Sequence, residues 1–287
     1  MKDGPSTSSG RAGIFTVSEA IRAAAERLAA ASDTARIDAE LLMAQALGVS
    51  RSDMLLRAMQ SPAPAGFAAL VDRRAEHEPV AYITGLAEFY GLELTVTPAT
   101  LIPRGDSETL IAAALEVAGA AGRALDLGTG SGALLLALLA NRAGWQGVGV
   151  DASAAALAVA AGNADALGLA NRSVWHQRDW HAGGWADDLS TFDLVLCNPP
   201  YVEADAALDP DVRDYEPASA LFAGPQGLDD YRALIPQLGK LIMPGGIAIF
   251  EIGAGQAEAV SAIAATAGFA VELRRDLGGR PRALILR

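Results

Sequence analysis

The sequence has few of the features that would place it outside the cell or in a membrane. It contains a single cysteine, Cys197, so no internal disulfide can form, which fits a reducing compartment. The first residues lack the apolar core of a signal peptide. No apolar run reaches the roughly eighteen residues that a membrane-spanning helix needs. These absences predict a cytoplasmic protein without a membrane partner.

Basic charge is also scarce. Lys2 and Lys240 are the only lysines, and the net charge is −12. Proteins that grip nucleic acid usually carry a basic surface, because neutralising phosphates supplies most of the affinity. A local patch would suffice for a nucleic-acid substrate, but the overall balance favours a protein partner with a basic face and no direct nucleic-acid contact.

Composition changes along the chain predict its domain organisation. Residues 1–13 are polar and rich in glycine and serine, and we predict a disordered leader. Residues 14–79 are rich in Ala, Leu, Arg and Glu, which predicts a small helical domain. Residues 80–100 are β-branched and aromatic with interspersed glycines, which predicts a β-hairpin linking two domains. Residues 101–287 form the second and larger domain.

Apolar strands alternate with helical segments through most of the second domain. This alternation predicts an α/β fold with a doubly wound, mostly parallel sheet. The segments Val271–Arg275 and 283–286 are joined by a glycine-rich turn. We predict that they form a closing hairpin with one antiparallel edge strand.

The motif DLGTGSG (126–132) stands between a predicted strand and a predicted helix. Its glycines permit a tight turn and let a ligand approach the backbone, and the helix start offers free N–H groups. Asp151 ends the next strand, where a carboxylate can accept hydrogen bonds from ribose hydroxyls. Nicotinamide dinucleotide enzymes share both features with S-adenosylmethionine enzymes, so the cofactor remains open at this point. A ligand-free glycine turn and a helix-starting acid are the structural alternatives.

The segment Asn198-Pro199-Pro200-Tyr201 follows another apolar strand directly. Its two prolines hold the loop extended and remove two backbone donors, so the loop presents carbonyl acceptors. The Asn198 side chain adds a further acceptor, and Tyr201 adds an aromatic face. Together they form a receptor for a flat NH2 group, as in an amide or an adenine. This arrangement favours methyl transfer over hydride transfer, although a rigid turn capped by Asn198 is the structural alternative.

The chain resembles class I S-adenosylmethionine-dependent methyltransferases and, more narrowly, the HemK/PrmC family of peptide chain release factor N5-glutamine methyltransferases. One departure is Gly105, where the family usually has proline after Ile-Pro-Arg. Besides the two motifs above, the similar segments, in the family's order, are RIDAELL (36–42), EPVAYITG (78–85), EFYGLEL (88–94), TLIPRGDSE (100–108), GLDDYR (227–232) and FEIGAGQ (250–256).

The resemblance implies S-adenosylmethionine as the cofactor. In the family pattern Asp151 binds the ribose, Asp179 and Trp180 flank the adenine, and Asn198 contacts both cofactor and substrate. The residues implied to line the methionine part are Gly128, Thr129, Gly130, Ser131 and Gly132.

The resemblance also implies the substrate: the glutamine of the Gly-Gly-Gln motif in class I release factors. Asn198, Pro199 and Tyr201 would be catalytic, and with Pro200 they would hold the glutamine amide. The helical domain and the hairpin would recognise the partner. Three alternatives stay open: an N6-adenine methyltransferase acting on DNA or RNA, a glutamine methyltransferase acting on a ribosomal protein, and a binding module without catalysis.

The remaining candidate residues do not predict a further functional site. His77, His176 and His181 do not have the spacing of a metal site, so we predict no metal. Cys197 lies within an apolar strand, which predicts a buried small side chain rather than a nucleophile.

Overall fold

The computed structural model describes residues 15–287, so the predicted leader lies outside the described residues. The chain divides into two compact units, Met1–Thr84 and Gly85–Arg287. Among residues 15–287, no helix combines the length and the apolar character needed to cross a bilayer.

The described part of the first unit is helical, as its composition predicts. Helix α1 begins at a capping box in which Thr16 and Glu19 exchange side-chain and backbone hydrogen bonds. Apolar side chains from its helices form one buried cluster that includes Ile21, Leu42 and Val71. The helices are α1 (Val17–Leu28), α2 (Ala35–Leu47), α3 (Arg51–Asp53, continued by a π-helical turn, Met54–Ala58), α4 (Phe67–Ala75) and α5 (Val80–Thr84).

The predicted hairpin begins later than its composition indicates. Val80–Thr84 is helix α5 rather than strand, because Pro79 starts a helical turn whose carbonyl accepts from Tyr82 and Ile83. The strands themselves are β1 (Leu86–Phe89) and β2 (Leu92–Thr95), paired antiparallel. Tyr90 and Gly91 connect them with φ values of 50° and 77°, as a two-residue hairpin turn requires.

The rest of the second unit alternates strands and helices. Its strands are β3 (Ala121–Leu127), β4 (Gly144–Asp151), β5 (Ser173–Gln177), β6 (Phe192–Cys197), β7 (Ile242–Glu251), β8 (Val271–Arg275) and β9 (Pro281–Leu286). Its helices are α6 (Glu108–Val117), α7 (Ala133–Asn141), α8 (Ala154–Ala166), α9 (Pro210–Tyr215), α10 (Asp229–Leu234), α11 (Leu238–Leu241) and α12 (Ala257–Thr266).

The seven strands form one sheet in the order β5-β4-β3-β6-β7-β9-β8. Strands β3 to β7 are parallel, and β9 runs antiparallel to both β7 and β8. The predicted closing hairpin is confirmed, and its edge strand β8 pairs antiparallel with β9. The strand that runs opposite to the parallel strands, however, is β9, which is interior. Strand β9 (PRALIL) is more apolar than β8 (VELRR), so β9 takes the inner position. There it is almost wholly buried, whereas β8 is only partly buried.

The sheet is buried on both faces, as the doubly wound fold requires. Along β6, Leu194 and Leu196 belong to one hydrophobic cluster with α6 and α7, while Val195 and Cys197 belong to a second with α10, α11 and α12. Alternate side chains point to opposite faces of a strand. This distribution confirms the predicted fold class, and it confirms that Cys197 is buried.

Candidate active site

The predicted motifs meet at one edge of the sheet. Strands β4, β3 and β6 are neighbours and parallel, so their carboxyl ends bring Asp151, the glycine loop 128–132 and Asn198 together. From β3 the chain continues to β4 and β5 on one side, and it then crosses to β6 on the other side of β3. Open α/β sheets bind ligands where the winding reverses in this way. A cavity of about 390 Å³ lies there.

Most of the predicted site residues line this cavity, and three do not. Gly132, Pro199 and Tyr201 are not among its lining residues, and their predicted roles stay predictions. The predicted residues that line it are Gly128, Thr129, Gly130, Ser131, Asp151, Asp179, Trp180, Asn198 and Pro200.

The glycines of the loop are required for different local reasons. Gly128 and Gly132 have φ values of 71° and 83°, a region that side-chain-bearing residues rarely adopt. A Cβ on Gly128 would lie 3.1 Å from Cη2 of Trp180, so the glycine lets the indole close over the loop. A Cβ on Gly132 would lie 3.0 Å from Leu136, which gives this glycine a packing role behind the cavity.

Asp126 is a fully buried carboxyl beneath the glycine loop. Its Oδ2 accepts a hydrogen bond from the Thr129 hydroxyl at 2.6 Å. Burial raises the pKa of Asp126 to about 7, and the nearby Asp151 carboxylate contributes to the rise. The Asp126–Thr129 bond ties the loop to the end of β3 and so shapes the floor of the cavity.

Asp151 fixes the loop from the neighbouring strand. Its Oδ2 accepts from the Gly130 N–H and its Oδ1 from the Ser153 N–H, both at 2.9 Å. An ionised carboxylate has about four acceptor positions, so capacity remains for the two hydroxyls of a ribose.

Trp180 is held at the cavity wall by Asp230, which is not among the predicted site residues. Its Nε1 donates to Oδ1 of Asp230 at 2.7 Å. Asp230 is buried and also lies 3.0 Å from Nε2 of His181. Oδ1 of Asp179 accepts from the His181 N–H at 2.9 Å. These contacts position Trp180 and Asp179 together.

The loop from Asn198 to Tyr201 is anchored at both ends. Nδ2 of Asn198 donates to Oγ of Ser107 at 3.3 Å, and the Tyr201 hydroxyl donates to Oε1 of Glu251 at 3.2 Å. Burial raises the pKa of Tyr201, so its hydroxyl remains a donor. Nε2 of Gln256 donates to the Tyr201 carbonyl at 3.0 Å. The Tyr201 side chain is thus engaged with Glu251, whereas Asn198 and Pro200 face the cavity.

The segment 101–104 borders the cavity beside the loop from Asn198 to Tyr201. Glu216 is buried; it accepts from the Ile102 N–H at 3.1 Å and pairs with Arg104. Pro103 and Phe222, close in sequence to these residues, line the cavity. Nothing lies within 4 Å of the position that a Cβ on Gly105 would occupy.

The supporting residues Ser107, Asp230, Glu251 and Gln256 were missed as individual residues. Each lies inside a segment that the resemblance to the family singled out: TLIPRGDSE, GLDDYR or FEIGAGQ. Those segments were the available signal. What each side chain contacts depends on strands and loops far away in sequence, so spacing alone could not assign the roles.

The site fits S-adenosylmethionine. The cavity volume falls in the range of small-molecule sites, about 300–1,000 Å³. The loop 128–132 opens a helix at its floor, Asp151 offers acceptors for a ribose, and Trp180 offers an indole face for an adenine. The fold and this site together define a class I S-adenosylmethionine-dependent methyltransferase.

Comparison with known proteins narrows this class. Residues 19–85 match the family model for the PrmC N-terminal domain, and residues 119–251 match a methyltransferase domain model. The chain is 42% identical over 259 residues to the release factor glutamine methyltransferase of Rhodospirillum rubrum, covering 88% of this chain and 78% of the relative. For the protein of that name from Cereibacter sphaeroides the identity is 43% over 277 residues, covering 94% and 97%. The chain belongs to the release factor glutamine methyltransferase family.

Solved structures support the fold of the catalytic unit. A methyltransferase from Pyrococcus furiosus superimposes with a TM-score of 0.50 at 17% identity, covering 75% of this chain and 97% of that one. At this identity the likeness concerns the fold alone.

Proposed function

We propose that this protein transfers the methyl group of S-adenosylmethionine to the side-chain amide nitrogen (N5) of the glutamine in the Gly-Gly-Gln motif of class I release factors. Such methylation would tune translation termination in the cytoplasm. The observation that carries the proposal is the loop 198–201, from which Asn198 and Pro200 line the cavity, in a chain that aligns with release factor glutamine methyltransferases over most of its length.

The chemistry requires alignment more than proton transfer. When bound, S-adenosylmethionine supplies an electrophilic methyl group on a sulfonium. The amide nitrogen forms the new N–C bond as the C–S bond breaks, and the nitrogen then releases one proton to solvent. An amide nitrogen is a poor nucleophile because its lone pair is delocalised. Holding the reacting atoms in line can lower the barrier by roughly 7–11 kcal/mol at best.

The loop supplies acceptors for both N–H bonds of the substrate amide. The prolines leave backbone carbonyls without competing donors, and Oδ1 of Asn198 is free to accept because Nδ2 is engaged with Ser107. Acceptors at the amide hydrogens orient the nitrogen and favour the positive charge that grows on it during transfer. No strongly basic side chain is needed before the attack.

A protein substrate accounts for the additional helical unit. A small free amide needs no recognition domain, whereas a release factor presents a large surface around its glutamine. The match of residues 19–85 to the PrmC N-terminal domain supports a recognition role for this unit.

The direct test uses methyl-labelled S-adenosylmethionine with a purified class I release factor. A release factor whose Gly-Gly-Gln glutamine is replaced by alanine is the control, and DNA, RNA and ribosomal proteins are parallel substrates. We expect label on the unmodified release factor alone. Label on nucleic acid would replace the proposal with adenine methylation. Label on a ribosomal protein would indicate that the protein substrate is a ribosomal protein and not a release factor.

Asn198→Ala tests the alignment mechanism. We expect kcat for release factor methylation to fall about 100-fold, the scale of losing one preorganised hydrogen-bonding group. The matched control, Asn171→Ala, replaces an exposed asparagine away from the cavity and should leave kcat unchanged. Retention of most of the wild-type kcat by Asn198→Ala would contradict the mechanism.

A further inference from the structure

We infer that Ser107 and Glu251 are positioning residues that decide which end of the Asn198 amide faces the substrate. They hold the Asn198 NH2 group away from the cavity and so turn Oδ1 toward it. This inference rests on the proposed function, because it assigns Oδ1 to the substrate amide.

The three side chains lie next to one another behind the cavity. Nδ2 of Asn198 donates to Oγ of Ser107 at 3.3 Å, and Ser107 is buried. Ser107 also lies close enough to Glu251 for its hydroxyl to lower the pKa of that carboxyl by hydrogen bonding. Within residues 15–287, Oε2 of Glu251 is buried and has no hydrogen-bond partner, so it is the acceptor left for the Ser107 hydroxyl.

The direction of this chain follows from donor and acceptor chemistry. An ionised carboxylate only accepts, and a serine hydroxyl has one proton to give. If that proton goes to Glu251, the Ser107 oxygen must accept at its other side. Only the NH2 end of Asn198 can donate to it, and Oδ1 is then the end left for the cavity. An amide that could flip would otherwise present a donor to the N–H groups it has to bind.

Glu251 holds the other end of the same loop as well. Its Oε1 accepts from the Tyr201 hydroxyl at 3.2 Å. One buried carboxyl, 1% exposed at the end of β7, therefore anchors both Asn198, through Ser107, and Tyr201. A change of charge on Glu251 reaches the loop at two points.

The charge on Glu251 is set by what surrounds it. Burial raises its pKa to about 7; Ser107, Arg282 and Tyr201 oppose the rise, and Asp106 adds to it. Cys197 and Tyr231 also lie near enough for the charge on Glu251 to raise their pKa values. The carboxyl is therefore protonated below about pH 7 and ionised above it. A protonated Glu251 can donate to Ser107, which reverses the chain and lets the Asn198 amide flip.

Three variants test the inference in the full-length enzyme. For Ser107→Ala we expect kcat to fall about tenfold, as for loss of one hydrogen bond that orients the reacting group, with KM for S-adenosylmethionine little changed. Ser107→Thr retains the hydroxyl and should recover most of the rate. Ser261→Ala, in helix α12, which contributes no cavity-lining residue, is the control for a serine-to-alanine change and should behave as wild type.

The pH profile separates positioning from a general loss of stability. Wild-type kcat should rise with pH, with a midpoint near 7 that follows ionisation of Glu251. Glu251→Gln cannot ionise and should flatten the rise, while the exposed Glu258→Gln should leave it in place. A wild-type midpoint that persists in Glu251→Gln, or a Ser107→Ala variant with wild-type kcat, overturns the inference.

A spectroscopic readout keeps this inference distinct from the proposed function. The side-chain NH2 resonance of Asn198, assigned by its loss in Asn198→Ala, should shift with a midpoint near pH 7 in wild type and not in Glu251→Gln. This titration needs no substrate. Absence of release factor methylation by wild type would overturn the proposed function, whereas absence of the titration would overturn the positioning role.

Discussion

At the scale of single residues, the glycines of the loop show how backbone geometry and cavity shape are coupled. Gly128 has φ 71°, and the space its Cβ would occupy borders the Trp180 ring at 3.1 Å. A side chain there meets two obstacles at once: a strained backbone and an indole that Asp230 holds in place. The residue is therefore demanded by the cofactor cavity rather than by helix or strand propensity.

Gly128→Ala should weaken S-adenosylmethionine binding by about tenfold or more, because strain at positive φ costs on the order of 1–2 kcal/mol and Trp180 must shift. Isothermal titration calorimetry measures the effect. Gly162→Ala is the matched control: Gly162 lies inside α8 with open space around it, and the change should leave binding unchanged and slightly stabilise the helix. Equal affinities for wild type and Gly128→Ala would disprove the assigned role of the glycine.

Asp126 gives the folded protein a pH-dependent stability. Its folded-state pKa of about 7 exceeds the ordinary value of 3.8, so the folded state binds a proton more tightly than the unfolded state. Between about pH 4 and pH 7 the free energy of unfolding therefore falls as pH rises, by at most about 4 kcal/mol from this group.

Asp126→Asn removes that titration and can still accept the Thr129 hydrogen bond. We expect the melting temperature of the variant, relative to wild type, to be higher at pH 8 than at pH 5. Thermal unfolding at both pH values measures the difference, with the exposed Glu203→Gln as the control for removing a negative charge. A relative melting temperature that is the same at both pH values, or lower at pH 8, would argue against a buried, proton-binding Asp126.

At the scale of elements, an ion pair connects α2 to α4 inside the first unit. Nε of Arg74 donates to Oδ2 of Asp38 at 2.7 Å, and both side chains are buried. The hydroxyls of Ser32 and Thr34 also donate to Asp38, at 2.7 and 2.8 Å. Composition predicted the helices, but the partner of each charged residue depends on how the helices pack.

Removing Arg74 alone should leave Asp38 buried without its cation. We expect Arg74→Met to destabilise the unit by about 3 kcal/mol, and Asp38→Leu combined with Arg74→Met to lose much less. Hydrogen exchange of α2 and α4 peptides reports the change locally. Arg22→Met, which breaks an exposed pair with Glu26, is the control and should have no measurable effect. A double variant no better than the single one would show that the pair contributes more than charge compensation.

At the scale of the whole molecule, the division at Thr84 leaves the helical unit without any of the residues that line the cavity. Every cavity-lining residue, from Phe89 to Asp230, belongs to the second unit. Both hydrophobic clusters around the seven-stranded sheet also lie wholly within it. The second unit thus has its own core and its own complete cavity.

A fragment comprising residues 85–287 should therefore bind S-adenosylmethionine with an affinity within a few-fold of the full chain, because it retains every residue that lines the cavity. It should methylate a release factor much more slowly, because the proposed recognition unit is absent. Calorimetry and the labelling assay measure the two properties side by side. A folded fragment that fails to bind the cofactor, or one that methylates at the full rate, would contradict this division of roles.

Local patterns carry most of what could be predicted from the sequence. The strand–loop–helix around DLGTGSG, the strand-end Asp151 and the loop at Asn198 depend on residues close together in the chain, so their spacing reveals them. The order of parallel strands then places their carboxyl ends at one edge. Boundaries were less predictable: Val80–Thr84 has a strand-like composition but is helical because Pro79 begins a turn there.

The sequence by itself determined the fold class, the family and most of the predicted residues that line the cavity, because glycine, proline and strand periodicity act over a few residues. Only the tertiary structure decided how those residues are held. Ser107 contacts Asn198 across 91 positions of sequence, and Tyr201 contacts Glu251 across 50. The interior position of β9 was decided in the same way. Such pairings depend on which surfaces become buried together, and chain spacing does not encode that choice locally.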